Sequence, residues 1–364
     1  SGPLYDTMVA HYLINPDMRH NLDTLSESYL NYSPISIESL IGKRGKNQGS
    51  MRDVPIEKLT DYAAEDADLT LQLKQIFDEE MKTNQVEEIF WDIEVPMIRV
   101  LADMEKEGIS IDSTYLNNLD KVFESELDKL KSRIFEKSGE EFNLNSPKQL
   151  GDILFDKLKL VSKPKKTKTG QYSTSEEVLS SLANEHGIIR SILEWRSLDK
   201  LQNTYVRSLP NEVSSRTGRI HTKFNQTVTT TGRLSSNNPN LQNIPIRTEN
   251  GQKIREAFIP KNQDFELLAA DYSQIELRVI ASISKDKSMI DAFVKNQDIH
   301  TITASKIYNA DPENITREQR GNAKTVNFGI IYGVSAFGLS QQTNLSRSES
   351  KIMICLLYTS PSPR

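Results

Sequence analysis

The chain has 364 residues, 37% of them hydrophobic and 26% charged, and carries a formal net charge of −5. This length and apolar content leave room for two or three domains, which excludes fibrous and intrinsically disordered classes. The negative net charge argues against a general polyanion binder, so any contact with nucleic acid must come from local basic patches.

One cysteine, Cys355, and the lack of CxxC pairs or His/Cys clusters exclude a disulfide framework and argue against structural zinc. We therefore expect a reducing, cytosolic setting. No apolar run approaches the ~18 residues that span a bilayer, and no signal-peptide core opens the chain. No membrane partner is expected. Because the chain starts with Ser1, we expect it to be a piece of a longer protein.

The first half of the chain predicts helices. Residues 1–85 end in the amphipathic pattern YAAEDADLTLQLKQIFDEEM, and residues 91–112 predict a helix, a stop at Gly108 and a short strand. A domain boundary therefore falls near residues 85–90. From Ser113 to about Leu209 the pattern predicts antiparallel helices.

A basic run interrupts these helices. Six lysines and no acid lie between Lys157 and Lys168, and Gly170 follows. Such a run is either a solvated loop or a hairpin tip that follows a phosphate backbone. The candidate DNA-binding residues here are Lys163, Lys165, Lys166 and Lys168.

From Arg219 to Pro260 the sequence is rich in Thr, Asn, Gly and Pro, a composition that predicts short strands and turns. Polar donors crowd one loop of this region. Such donors can test base-pair shape in the minor groove without selecting a sequence, although a polar surface loop with Asx-turns has the same composition. The candidates are Arg233, Asn237, Asn240, Gln242 and Asn243.

The next element is an apolar segment, Phe265 to Ala270, which predicts a strand followed by a helix that begins near Ser273. Asp271 would then lie at the carboxyl end of the strand, where an acid can hold a divalent cation that phosphate oxygens bridge. Glu276 has two interpretations, because Ser273 and Glu276 also have the spacing of a capping box.

A helix is predicted from Thr316 to Gly333. Cations and aromatic rings recur on it every fourth residue, which suits a nucleotide because cations neutralise a triphosphate and rings pack on base and sugar. The alternative is an ordinary amphipathic surface helix, since Thr316 and Gln319 form a capping box. The residues of this basic-aromatic stripe are Arg320, Lys324, Phe328 and Tyr332.

Four blocks of the sequence resemble motifs of a known protein family. TTGRLSSNNPNLQNIPIRTENG, DYSQIELR, DIHTITA and RGNAKTVNFGIIYG resemble, together and in order, the polymerase domain of family A DNA polymerases, and YAAEDAD resembles the last motif of the 3′→5′ proofreading exonuclease. The resemblance covers about residues 1–350. It implies an α+β, right-hand polymerase fold with palm, thumb and part of the fingers. The carboxyl-terminal part of a ribonuclease-H-like exonuclease domain would precede it.

The resemblance also implies a subdivision of the chain. It is the following: exonuclease remnant 1–85, linker leading into the palm 86–112, thumb 113–205, first part of the palm 206–290, part of the fingers 291–350, and a tail 351–364. The final CLLYTSPSPR is similar to a translated sequencing adapter, and a native Pro/Ser-rich tail is the alternative.

Residue roles follow from the same resemblance. Asp271 would bind both of two Mg²⁺ ions, assisted by the Tyr272 carbonyl, and Lys324 would assist the leaving pyrophosphate. Glu276, backed by Tyr332, would exclude a ribose 2′-hydroxyl, and Arg233 would read the primer-terminal minor groove. The residues implied to contact the incoming dNTP are Tyr272, Gln274, Glu276, His300, Arg320, Lys324, Phe328 and Tyr332. In the exonuclease part, Tyr62 would orient the attacking water and Asp66 would bind a metal ion.

The implied function is template-directed DNA synthesis in repair and replication, by two-metal phosphoryl transfer from dNTPs to a primer 3′-hydroxyl. Primer-template DNA and dNTPs are the expected partners of a monomer in the bacterial cytosol. The chain itself is expected to be inactive, because the family's second catalytic Asp lies in a downstream block. A nucleic-acid-binding scaffold without chemistry and a 3′→5′ exonuclease are the alternatives.

Overall fold

The computed structural model describes residues 2–183, 185–246, 248–343 and 345–358. Contacts divide the chain into two compact units, Ser1–Leu267 and Leu268–Arg364. The fold is mixed but mainly helical, and its strands are short. No helix in the described ranges is both long and apolar enough to cross a bilayer.

The amino-terminal part of the first unit is organised by one long helix, α4. Its buried side chains Leu69, Leu73, Phe77 and Met81 recur every fourth residue, so they form one apolar face. This face packs on α1, and Phe90 completes the core. The helices are α1 (Thr7–Ile14), α2 (Leu22–Leu25), α3 (Ile37–Ile41), α4 (Ile56–Thr83), α5 (Glu87–Ile89) and α6 (Val95–Glu107).

The predicted helical middle is present. Its longest helix, α7, starts after Asp112, whose carboxylate accepts a hydrogen bond from the Tyr115 amide at 2.8 Å, and ends at Gly139 with φ of 75°. It packs on α10, and their buried faces form the largest core. The helices are α7 (Ser113–Ser138), α8 (Pro147–Gly151), α9 (Glu176–Leu182) and α10 (Gly187–Leu201).

Short antiparallel strands close this unit. The predicted strand after Gly108 is confirmed, because Ser110 pairs with Ile259 and Ile111 with Phe258. A second pair forms between residues 223–225 and 235–237. The elements are β1 (Ser110–Ile111), β2 (Lys223–Asn225), β3 (Ser235–Asn237), α11 (Glu249–Glu256) and β4 (Phe258–Ile259).

The second unit is helical within its described residues. Leu277, Ala292 and Ile299 form one small core, and a second core contains Val326 and Leu339. The helices are α12 (Ile275–Ser284), α13 (Lys287–Val294), α14 (Ile299–Tyr308), α15 (Arg317–Ile331), α16 (Ala336–Gln342) and α17 (Arg347–Tyr358).

The predicted strand from Phe265 to Ala270 is wrong for this structure. The segment has no regular secondary structure, and Leu268 is 93% exposed. A strand needs a neighbour for its backbone hydrogen bonds, and no strand in the described part of the chain pairs with this segment. The segment is therefore an exposed connection between the two units and not part of a sheet.

The start of the following helix also differs from the prediction. The N-cap residue is Gln274, in the left-handed region with φ of 54°, and it makes no side-chain cap hydrogen bond. Ser273, the expected cap, lies one residue earlier. The reason is the backbone turn at Gln274, which delays the first helical residue to Ile275.

The end of the chain carries a helix where a tail was expected. α17 runs to Tyr358, and Met353 is buried in the second core of the second unit. Residues 359–364, which hold most of the adapter-like sequence, lie outside the described residues. The origin of this segment stays a prediction.

Candidate nucleotide site and nucleic-acid interface

Three residues of the basic-aromatic stripe lie on α15 as predicted, and Tyr332 follows directly after the last residue of this helix. Thr316 and Gln319 form the capping box, with reciprocal backbone-to-side-chain hydrogen bonds of 3.0 and 3.2 Å. Ala323 and Val326 are fully buried and form the opposite face. Along the stripe, Arg320 and Lys324 are exposed, Phe328 is half-buried and Tyr332 is 60% exposed. The helix therefore has both faces, one for the core and one for a ligand.

A carboxylate that opens the DIHTITA block, but for which the sequence predicted no role, organises the start of this site. Asp298 accepts hydrogen bonds from Arg320 Nε at 2.5 Å, Thr301 Oγ1 at 2.6 Å and the His300 amide at 3.2 Å. Burial alone would raise the pKa of Asp298, but the hydrogen bonds from Arg320 and Thr301 outweigh it and hold this pKa well below its usual range. The group is therefore ionised at neutral pH.

His300 is 2% exposed and lies next to the stripe. Its Nδ1 is 3.0 Å from the Asn327 side-chain nitrogen, which can only donate. Nδ1 must then accept, so the ring proton sits on Nε2. Burial lowers the pKa of His300, which keeps the ring neutral. Its ring centroid is 5.7 Å from that of Phe328.

A cavity of about 340 Å³ opens beside these groups. Two guanidinium groups line it, Arg320 and Arg278. Arg278 stacks over the Phe293 ring at 4.5 Å and donates to the Ser273 carbonyl at 3.0 Å. The volume is within the range of small-ligand pockets, and the two cations suit an anion. The lining residues are Ser273, Gln274, Arg278, Phe293, Asn296, Gln297, Asp298 and Arg320.

Asp271 and Tyr272 lie on the exposed segment that leads into this cavity's Ser273–Gln274 wall. Within the described ranges Asp271 makes no hydrogen bond or ion pair, and no group of three acids, histidines or cysteines is close enough to hold a metal ion. An exposed carboxylate is a donor that Mg²⁺ takes together with waters and substrate phosphates. Asp271 therefore fits such an ion, but it supplies one ligand of a larger set.

The donor loop, residues 237–246, belongs to the first unit. Its backbone carbonyls are held by side chains: Tyr205 donates to Asn243 O at 2.7 Å, and Arg255 donates to the next two carbonyls at 3.3 Å each. Gln252 donates to Ile246 O at 3.2 Å. The loop is therefore fixed from behind.

The predicted donors of this loop are exposed. They comprise Arg233, which precedes the loop, and Asn237, Asn240, Gln242 and Asn243. The Asx-turn alternative also holds in part, because Asn240 Oδ1 accepts from the Gln242 amide at 3.0 Å and from Ser236 Oγ at 3.1 Å. These bonds occupy the amide oxygen and not its N–H donors. A cavity of about 720 Å³ lies beside the loop, and Arg196 and Lys200 of α10 line its other wall.

The lysine run is a hairpin. Lys166 pairs with Tyr172, Ser173 N donates to Lys165 O at 2.8 Å, and Gly170 turns the chain with φ of 82°. All four candidate lysines are exposed. The Lys166 ammonium lies 5.0 Å from the centroid of the Tyr172 ring. The predicted hairpin is therefore confirmed, whereas its contact with a phosphate backbone stays a prediction.

The two candidate exonuclease residues lie one turn apart on α4. The Tyr62 hydroxyl and the Asp66 carboxylate are close enough to affect each other's pKa, and burial, followed by Asp66, raises the pKa of Tyr62. Burial is the main cause that raises the pKa of Asp66, and the nearby carboxylates Asp23 and Glu65 add to it. Glu65 is occupied by Tyr32, whose hydroxyl donates to it at 2.6 Å. The structure therefore joins Tyr62 and Asp66 in a negative environment that favours a cation.

A small-ligand cavity lined by two arginines, an exposed acid two residues before its wall, and separate surfaces suited to a nucleic-acid backbone and minor groove are features expected of a nucleic acid polymerase. Residues 113–360 match the family described as DNA polymerase family A, and residues 2–82 match the 3′-5′ exonuclease family. The chain belongs to DNA polymerase family A.

Curated relatives agree with this assignment. The chain is 44% identical over 356 residues to DNA polymerase I of Pseudomonas aeruginosa and 43% identical over 355 residues to that of Bacillus subtilis. Each match covers 97% of this chain but only 39% and 40% of the relative. The chain thus spans about two-fifths of the length of these relatives.

A solved structure has the same fold. The POL domain of Pol1 from M. smegmatis, in complex with DNA primer-template and dNTP, superposes with a TM-score of 0.81 at 36% identity. The match covers 97% of this chain and 58% of that one. The expected fold class is therefore confirmed: part of a right-hand polymerase fold, preceded by the carboxyl-terminal part of an exonuclease domain.

Proposed function

We propose that the protein that contains this chain performs template-directed DNA synthesis in replication and repair, adding dNTPs to a primer 3′-hydroxyl with release of pyrophosphate. The observation that carries the proposal is the stripe of α15, which presents Arg320 and Lys324 beside the neutral donor His300. Relatives named DNA polymerase I support it, as does a similar domain solved with primer-template and dNTP.

Each residue of the stripe has a task in this proposal. The guanidinium of Arg320, the ammonium of Lys324 and the Nε2–H of His300 bind the triphosphate oxygens. Phe328 packs on the sugar and base. Lys324 also stabilises the charge that develops on the leaving pyrophosphate and can give it a proton.

Asp271 and the Tyr272 carbonyl are proposed to bind magnesium. Two Mg²⁺ ions, when bound, supply Lewis-acid activation of the primer hydroxyl and charge neutralisation of the leaving group. Because Asp271 supplies only one ligand in the described part of the chain, we propose that the chain by itself does not extend a primer.

Three further residues, of which only Gln274 lines the cavity, are proposed to contact and select the nucleotide. Gln274 lines the cavity and its amide lies 3.3 Å from Asp298, so it faces the triphosphate end. Glu276, in the first turn of α12, and Tyr332, at the far end of the stripe, are proposed to exclude a ribose 2′-hydroxyl.

The first unit is proposed to hold the DNA. The exposed donors of the loop, with Arg233, contact minor-groove acceptors that all base pairs share. The hairpin lysines Lys163, Lys165, Lys166 and Lys168 contact phosphates. In this proposal residues 113–205 form the thumb, 206–290 the first part of the palm and 291–350 part of the fingers. The protein acts as a monomer in the bacterial cytosol.

A second activity is favoured by the Tyr62–Asp66 pair. We propose that Asp66 binds a metal ion and that Tyr62 orients a water for 3′→5′ hydrolysis, together with acids supplied from outside this chain. Burial is the main cause that raises the pKa of Asp66, and the nearby carboxylates Glu65 and Asp23 add negative charge that a bound cation would neutralise.

Primer extension with the full-length protein tests the proposed function. We expect incorporation of dNTPs that depends on a template and on Mg²⁺, with much slower use of ribonucleotides. Omitting the template or the metal should abolish it. A full-length protein that binds primer-template but never extends the primer would instead be the nucleic-acid-binding scaffold.

A further inference from the structure

We propose that Asp298 is a positioning residue for the triphosphate site: its carboxylate orients the guanidinium of Arg320 and at the same time caps the helix that carries His300. The inference rests on the proposed function, because it assigns a task to a residue beside the proposed phosphate ligands. It concerns only residues of the second unit.

Asp298 connects three separate segments. One oxygen, Oδ1, lies 3.2 Å from the His300 amide and 3.3 Å from the Gln274 side-chain nitrogen. The other, Oδ2, accepts from Thr301 Oγ1 at 2.6 Å and from Arg320 Nε at 2.5 Å. Both oxygens therefore accept two donors each, and the carboxylate has one well-defined orientation.

The choice of nitrogen on Arg320 matters for phosphate binding. Only Nε contacts Asp298, and in the described residues neither terminal nitrogen of Arg320 makes a hydrogen bond or ion pair. A guanidinium held by Nε keeps its two terminal N–H₂ groups, whose geometry matches two phosphate oxygens. The side chain is 44% exposed, so these groups can reach a ligand.

The same carboxylate places His300. Asp298 is the N-cap residue of α14 and accepts from the amide of His300, the second residue of that helix. A capped first turn fixes the backbone that carries the imidazole. Asn327 of α15 then holds the ring through Nδ1 at 3.0 Å. Two proposed phosphate donors thus depend on one acid.

A competing role for Asp298 predicts the opposite effect. If the acid merely occupied Arg320 in place of a phosphate, removing its charge would free the cation and tighten anion binding. Simple repulsion between Asp298 and a triphosphate predicts the same tightening. A positioning role predicts weaker binding, because an unheld arginine must lose side-chain entropy when it binds.

The variant Asp298→Asn separates these roles. Asparagine has the same shape and is also a good N-cap residue, so the cap of α14 is kept while the charge is removed. Asp286→Asn is the matched control. Asp286 is the N-cap residue of α13 and accepts from the Met289 amide at 2.9 Å, without an arginine partner among the described residues.

The experiment titrates inorganic tripolyphosphate into the chain by calorimetry, in metal-free buffer. We expect Asp298→Asn to raise the Kd about tenfold, because the arginine side chain that is no longer held must be ordered when it binds, and Asp286→Asn to leave it unchanged. In an Arg320→Ala background, Asp298→Asn should have no further effect, because Asp298 acts through that arginine. A general loss of folding would not produce this non-additivity.

The outcomes distinguish this inference from the proposed function. Equal or tighter binding by Asp298→Asn, or the same tenfold loss with and without Arg320, would overturn the positioning role alone. No binding of tripolyphosphate by the unaltered chain would overturn the nucleotide site itself, and the positioning role with it.

Discussion

The surroundings of two side chains in the second unit, His300 and Asp298, determine their protonation states. Burial lowers the pKa of His300, so at neutral pH the ring is a neutral donor through Nε2. Asp298, held by Arg320 and Thr301, stays ionised. A neutral donor and an oriented cation can both bind a triphosphate without taking up or releasing a proton. We therefore expect nucleotide binding, measured by calorimetry at several values above pH ~7.5, where the terminal phosphate of the nucleotide is itself fully ionised, to be insensitive to pH.

Glu276 tests nucleotide selection at the same scale. In the full-length protein, Glu276→Ala should narrow the preference for dCTP over CTP by about tenfold or more, because the side chain that excludes the 2′-hydroxyl is gone. The measurement is the ratio of kcat/KM for the two nucleotides. Glu313→Ala, which removes an exposed acid elsewhere in the second unit, serves as control.

An unchanged dCTP/CTP ratio in Glu276→Ala would leave this residue with a helix-start role only. The structure already weakens that alternative. The N-cap residue of α12 is Gln274, so Ser273 is not the cap that the sequence pattern predicted.

Among the elements, local patterns predicted local structure well. The capping box of Thr316 and Gln319, the helical stripe of α15 and the lysine hairpin all depend on residues a few positions apart, and the structure contains each. The strand from Phe265 to Ala270 depends on a distant partner, which spacing cannot reveal.

The candidate site shows the same limit. Sequence motifs assign roles to Arg320 and His300 but none to Asp298, which opens the DIHTITA block and contacts both. The available signal is its place directly before a helix, where Asp often caps. That signal predicts the cap but not the ion pair, because Asp298 and Arg320 are 22 positions apart.

The lysine hairpin carries the next prediction. In the full-length protein, replacing Lys163, Lys165, Lys166 and Lys168 with Gln should weaken primer-template binding. The slope of log K against log salt should become shallower by about 0.9 for each phosphate that the variant no longer neutralises. Fluorescence anisotropy at several salt concentrations measures this slope.

A control for this experiment replaces four exposed lysines elsewhere in the first unit, Lys43, Lys46, Lys58 and Lys129. The control removes the same charge from positions that are not proposed to contact phosphates. It should therefore lower the affinity for primer-template only slightly and keep the slope of log K against log salt. If the hairpin variant and this control have the same slope, the hairpin is a solvated loop.

At the scale of the whole molecule, net charge bears on DNA binding and pH bears on the free energy of unfolding. The net charge of −5 means that DNA binding must rely on local groups such as the hairpin. The dependence of the free energy of unfolding on pH also comes from a local group, a buried histidine pair. In the amino-terminal core, His11 is fully buried, with its Nδ1 2.7 Å from His20 Nδ1 and its Nε2 3.0 Å from the Tyr29 hydroxyl.

This histidine pair predicts acid sensitivity of the amino-terminal part. Burial, with the neighbouring His20 as a lesser cause, lowers the pKa of His11 to about 4. Below pH ~6.5 the unfolded chain takes up a proton that the folded chain does not. The stabilisation is therefore complete above that pH and is lost as pH falls towards 4. Between pH 7 and pH 5 the loss should be about 2 kcal/mol.

Denaturant unfolding at pH 7 and pH 5 measures this loss. Trp91, which contacts Phe90 of the same core, is the fluorescent reporter in a Trp195→Phe background. His11→Asn removes the titrating ring, so the difference between the two pH values should shrink. Equal differences with and without His11 would show that other groups cause the acid sensitivity.

Asp271 carries the main functional assignment, that this chain holds nucleotide- and metal-binding residues of a family A DNA polymerase. Primer extension by the full-length protein should be abolished by Asp271→Ala, while primer-template Kd stays within a few-fold of the unaltered value. Asp271 is exposed and has no partner in the described part of the chain, so the substitution should leave the fold intact. Synthesis that persists at a comparable rate in Asp271→Ala would contradict this assignment.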